Sequence, residues 1–185
     1  GINVNELTLE AVWPGQVRWP NGKDGLENPL YTDGKSGNYA VIYFIEANTL
    51  MRTLRRPRDF CENFIRSWKQ FNPIGYAWML DASEEGLAQG WVPTLEGRRC
   101  RLPDPAQQGE DHVRKCAVNY RIQGSAAWPI KLALLDGDKA GYDQRLQLHD
   151  EVVIDGNVEP PTEYYRWLME VLETPVEVKH GVKWS

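Results

Sequence analysis

At 185 residues with a formal net charge of −5, the chain is long enough for one medium domain or a piece of a larger protein, with a true buried core. Its apolar runs are short and interrupted, which argues against a membrane span. Gly1 to Asn5 lack the basic-then-apolar order of a signal peptide, and the missing initial Met fits processing or trimming. Cys61, Cys100 and Cys116 form no Cys-x-x-Cys pair, so the expectation is no zinc and reduced, mostly buried thiols in a cytoplasmic protein.

Residues 1–34 carry Trp13-Pro14-Gly15, Trp19-Pro20-Asn21-Gly22 and Asn28-Pro29, which are turn signals. They predict an irregular segment of loops with one or two short strands. Residues 35–55 suit one helix. From Pro57 to Phe71, the placing of Phe60, Phe64, Trp68 and Phe71 predicts an amphipathic helix. Pro73 breaks it, and a second helix is expected from about Ile74 to Gln89, stopped by Gly90. Trp91 to Arg99 reads as a hairpin turning at Glu96-Gly97, and Pro103-Asp104-Pro105 opens a loop.

Residues 111–135 look helical, but Pro129 should kink the helix or end it early. Gly137 and Gly141 mark a loop, 145–155 two short strands around a bend, and Pro160-Pro161 the start of a further helix. Val176-Glu177-Val178 closes with a strand. Helices and strands mix without regular alternation, so the fold class is α+β. The organisation expected is an N-terminal segment 1–34, a helical part 35–89 and a mixed part 90–185.

The net charge opposes binding to polyanions, yet basic residues cluster at Arg52, Arg55, Arg56 and Arg58, at Arg98, Arg99 and Arg101, and at Arg114 and Lys115. One basic face and an ordinary solvated surface are both compatible with this pattern. The most informative stretch is Arg145 to Gly156, where apolar residues flank His149-Asp150-Glu151. Adjacent charges inside a strand are costly to bury, whereas at a bend they reach solvent together. Carboxylate oxygens suit Mg²⁺. On residue types alone, a plain surface hairpin is the favoured reading of the stretch.

Gln147-Leu148-His149-Asp150-Glu151 resembles motif C of the family A DNA polymerases, Gln-x-His-Asp-Glu between apolar strands. Gly90 to Asp104 is similar to that family's Gly-Tyr-Val-x-Thr-Leu-x-Gly-Arg-Arg-x-x-Leu-Pro-Asp. Asn119-Tyr120-Arg121-Ile122-Gln123-Gly124-Ser125-Ala126-Ala127 resembles its Asn-x-x-x-Gln-Gly-Ser/Thr-Ala-Ala. The ending from Val176 to Trp184 is similar to its closing palm strand. The resemblance implies fingers-like helices over 35–89 and a palm over 90–185.

It further implies that Asp150 and Glu151 hold Mg²⁺ and that His149 approaches the primer terminus. Lys35-x-x-x-Tyr39-x-x-x-Tyr43 resembles motif B, in which Lys35 would hold the dNTP triphosphate, Tyr39 pack near its sugar and Tyr43 sit by the templating base. Tyr at position 39 goes, in this family, with weaker discrimination against dideoxynucleotides. Asn119 and Gln123 would read the minor groove of the primer–template. Arg98, Arg99, Lys115 and Arg114 are candidate backbone contacts. The departures are Tyr31 where the family has Arg, Ala40 for Gly, and Phe44 for the Gly that follows the Tyr.

The family's motif A, Asp-Tyr/Phe-Ser-x-x-Glu, has no match in residues 1–34. The two-metal cage therefore needs a second carboxylate from elsewhere. The expectation is a second polypeptide with motif A, the thumb and an exonuclease, as in a phage-type split polymerase, or a fragment of a longer chain. The location would be the cytoplasm, that of the host for a phage. The alternative is a degenerate, non-catalytic palm and fingers module that binds DNA or a partner. Trp13, Trp19, Phe44 and Trp78 are candidates for the seam between subunits.

Overall fold

A computed structural model describes residues 4–14, 29–156 and 178–181. The order is α1 (Val4–Val12), α2 (Pro29–Ile42), α3 (Ala47–Leu54), α4 (Arg58–Phe71), α5 (Pro73–Gln89), β1 (Trp91–Pro93), β2 (Arg99–Arg101), α6 (Pro105–Gln108), α7 (Glu110–Lys139), β3 (Asp143–Leu148) and β4 (Glu151–Asp155). Strands β1 and β2 pair, as do β3 and β4, so the class is α+β as expected. Among the described residues no helix is long and apolar enough to cross a membrane. The helix expected from Pro160 and the strand expected to end at Val178 fall largely on 157–177, outside the described residues. Trp19 lies outside them too.

Two compact units are present, residues 1–92 with 101–119 and residues 93–100 with 120–185. In the first, helices α1, α2 and α4 surround Leu9, Val41 and Phe64, all buried. Helix α2 approaches its neighbours through glycines. A methyl on Gly34 would fall 2.2 Å from Leu9 Cδ2, and one on Gly37 2.5 Å from Phe64 Cζ. The buried amide of Asn38 donates to Asn5 Oδ1 (2.8 Å) and accepts from Trp68 Nε1 (3.0 Å), tying the three helices by polar bonds. Trp13 stacks on Phe60 at 4.9 Å between ring centres, so this seam candidate packs onto α4. The buried side of α4 is Cys61, Phe64 and Trp68, while Phe71 stays exposed.

Several expectations need correction. Residues 1–34 are not merely loops and strands, because α1 covers Val4–Val12 and α2 begins at Pro29, where proline suits a first helical turn. Residues 35–55 form two helices. Helix α2 ends in a Schellman motif, with Phe44 N–H donating to Val41 O (3.0 Å) and Ile45 N–H to Ala40 O (3.1 Å). Phe44 takes φ = 54°, the left-handed value that reverses the chain before α3. Of the cysteines, only Cys61 is buried; Cys100 and Cys116 are half-exposed. Pro103-Asp104-Pro105 starts the short helix α6, where Asp104 accepts from Ala106 N–H at 2.9 Å as its N-cap.

In the second unit, α7 does not end early. It runs unbroken through Pro129 to Lys139, and Gly137 is helical. Proline in a helix interior costs about 3 kcal/mol. Beyond it, the last turns of α7 are held from the following strand: Gln144 Nε2 donates to Leu134 O at 2.9 Å, and its amide would lie 2.9 Å from a methyl on Gly137. Gly141 (φ = 78°) then closes α7 in the motif that closes α2, with Gly141 N–H to Asp138 O and Tyr142 N–H to Gly137 O, both 3.0 Å.

Candidate active site

The β3–β4 hairpin carries the carboxylates. Its register pairs Leu148 with Glu151, Gln147 with Val152 and Leu146 with Val153, leaving His149-Asp150 as a two-residue loop. Such loops need positive φ, and His149 supplies it at 51° without being glycine. The Gln147 side chain donates from Nε2 to His149 O at 2.7 Å and holds the loop from below. The register slips between Gln144 and Leu146, and Arg145 at that bulge bridges Asp143 (2.5 Å) and Asp155 (3.4 Å) across the hairpin. His149, Asp150 and Glu151 are all exposed. The sequence pointed to the triplet but not to Gln147 as its clamp. The available signal was a side-chain amide two residues before a non-glycine turn.

Asp150 and Glu151 fit Mg²⁺ chemically: two adjacent, solvent-facing carboxylates with no ion-pair partner among the described residues. They do not make a cage alone, since no group of three or more potential ligands occurs among the described residues.

A second feature sits in the same unit. Thr94, Leu95 and Arg98, from the β1–β2 turn, dock on Gly124-Ser125 of α7. Leu95 N–H donates to Ser125 Oγ at 2.8 Å, and Ser125 Oγ donates to Arg121 O at 2.6 Å. A methyl on Gly124 would lie 2.8 Å from Thr94 Cγ2 and 3.1 Å from Cys100 Sγ. Arg98 donates from Nη2 to Gly124 O (3.3 Å) and pairs with Glu96 (3.5 Å). Two stretches singled out separately in the sequence are thus one packed joint. It brings Arg98 to the carbonyl of Gly124, the residue that follows the exposed Gln123; Arg99 is exposed on β2.

In the first unit, Lys35 and Tyr39 share the exposed face of α2, opposite its buried glycines. Tyr39 is 59% exposed, which leaves its ring free to meet a ligand. Tyr43 follows the last residue of α2 and is half-buried. Asn119 is half-buried on α7, one turn before Gln123. Lys115 lies 3.7 Å from Glu46. Arg114 meets Glu84 at 2.9 Å, Glu110 at 3.2 Å and Asp111 at 3.6 Å. The Glu84 hydrogen bond holds its guanidinium above the usual range, so three acids already share this cation.

The sequence pattern of DNA polymerase family A matches residues 27–185. The chain belongs to DNA polymerase family A. A relative in the family, the thermostable DNA polymerase I of Thermus aquaticus, is 32% identical over 173 residues, covering 86% of this chain and 21% of that protein. The chloroplastic/mitochondrial DNA polymerase I A of Arabidopsis thaliana is 29% identical over 177 residues, 85% of this chain and 17% of the relative. The chain thus spans about a fifth of the length of these curated relatives. The POL domain of Pol1 from M. smegmatis, solved with DNA primer-template and dNTP, has the same fold: TM-score 0.69 and 21% identity over 91% of this chain and 30% of that one.

Proposed function

We propose that this family A chain supplies the nucleotide-facing helix and the metal-binding hairpin of a DNA-directed DNA polymerase. Residues 35–89 serve as fingers and 90–185 as palm. The observation that carries the reading is the β3–β4 hairpin, where Asp150 on the clamped turn and Glu151 beside it stand exposed with no ion-pair partner among the described residues. Bound Mg²⁺ would supply activation of the primer 3′-hydroxyl and charge stabilisation at the leaving pyrophosphate. Asp150 is the direct ligand, Glu151 assists, and His149 faces the primer terminus.

Lys35 on α2 is a point charge for the triphosphate, Tyr39 packs by the sugar and Tyr43 by the templating base. Asn119 and Gln123 contact the minor groove, whose acceptors are common to all correct pairs. Arg98, Arg99 and Lys115 neutralise backbone phosphates. Arg114, already held by three acids, adds to this only as its ion pairs open. The opposing carboxylate arm, the thumb and any exonuclease come from further polypeptide carrying motif A, in the manner of a split polymerase, acting in the cytoplasm.

Primer extension with Mg²⁺ tests this. The chain alone should not extend a primer, and the chain mixed with a polypeptide bearing motif A and the thumb should. Failure of the mixture would favour a non-catalytic module that binds DNA or a partner.

A further inference from the structure

Helices α2 and α7 end in the same Schellman motif, yet α7 places Gly141 at the left-handed position and α2 places Phe44. Glycine adopts that conformation without steric cost, whereas a bulky residue there is an outlier. Strain of this kind points to a role for the side chain. The Phe44 ring borders two adjoining grooves. The larger, about 510 Å³, is lined by Ile45, Glu62, Ile65, Arg66, Lys69 and Tyr76 among others. The smaller adds Tyr43, Thr49 and Lys115.

The charges along the larger groove are unevenly matched. Glu62 is paired with Arg58 at 2.7 Å and Glu46 with Lys115 at 3.7 Å. Arg66 and Lys69 have no carboxylate partner among the described residues, and Lys69 rests over the Tyr76 ring at 4.6 Å. Two aromatic rings beside two unmatched cations suit single-stranded nucleic acid, whose bases stack and whose phosphates seek positive charge.

Resting on the proposed polymerase role, we propose that Phe44 is a stacking platform for an unpaired template base, with Arg66 and Lys69 taking the phosphates of that strand. The ring replaces the glycine that the helix end alone would favour.

The test is equilibrium binding of the full chain to a fluorescent primer–template with a 5′ overhang and to the same duplex made blunt. The overhang should be bound more tightly. Phe44→Leu should cut that preference by about 5- to 150-fold, the worth of one stacked base, and leave blunt-duplex binding unchanged. Phe44→Tyr should keep it. Phe44→Gly should also lose the preference while raising the melting temperature, which separates stacking from folding. An overhang preference that survives both Phe44→Leu and Phe44→Gly overturns the proposal, as does its absence in the parent chain. Failure to bind either DNA would overturn the polymerase reading as well.

Discussion

Gln147 Nε2 donates to the carbonyl oxygen of His149 at 2.7 Å, across the mouth of the hairpin whose loop presents Asp150. The bond fixes the carbonyl of the left-handed residue itself, where the backbone would otherwise relax. A neutral hydrogen bond of this kind contributes about 0.5–1.5 kcal/mol. Gln147→Ala should therefore lower primer extension by the complemented chain by up to about tenfold with a nearly unchanged melting temperature. An unchanged rate would show that the clamp does not position the loop.

The glycines of α2 give a stability prediction. Gly37→Ala brings a methyl to 2.5 Å from the buried Phe64 ring, and overpacking of this kind costs about 1–3 kcal/mol. Gly75→Ala, on α5 with its nearest neighbour 4.0 Å away, should instead stabilise by about 0.4–1 kcal/mol. Thermal unfolding of the two variants should shift in opposite directions. Equal shifts would contradict the packing of α2 on α4.

Gly124→Ala should force the β1–β2 turn away from α7, because Thr94 and Cys100 leave no space for a methyl. As that turn carries Arg98, duplex DNA affinity should fall and its salt dependence should flatten. Titration of a blunt duplex at several salt concentrations reads both effects. A stable variant with parental affinity and slope would separate the joint from DNA contact.

The sequence announced these elements unevenly. Helices α4 and α5 were legible because Phe64 and Trp68 repeat at helical spacing and Gly90 stops the pattern. The His149-Asp150 loop was legible because three polar residues interrupt an apolar run. The break at Phe44 was not, since an aromatic residue gives no turn signal and only the backbone shows its left-handed φ. Pro129 misled in the other direction: α7 runs through this local breaker, and its last turns bond to Gln144 further along the chain, a contact that no local signal announces. Helix α1 was masked by the turn residues that follow it.

The cysteines should separate by reactivity. Burial, then the nearby Asp33 and Asp59, push the Cys61 thiol up, while Cys100 and Cys116 are half-exposed. Mass spectrometry after brief alkylation should find Cys61 labelled last. A raised folded pKa also fixes a sign. Below the unfolded thiol pKa Cys61 has no pH effect, and above it the unfolded chain gains by ionising, so stability falls as pH climbs. Cys61→Ala should flatten that alkaline decline; an unaltered slope would assign it to other groups.

The most direct test of the central claim is Mg²⁺-dependent primer extension by the chain mixed with a polypeptide bearing motif A and the thumb, comparing the parent with Asp150→Ala. Loss of a charge-stabilising group at a reacting centre costs about a hundredfold or more. Extension should fall by at least that factor while primer–template binding persists. An unchanged extension rate in Asp150→Ala would contradict the assignment of this hairpin to the metal site.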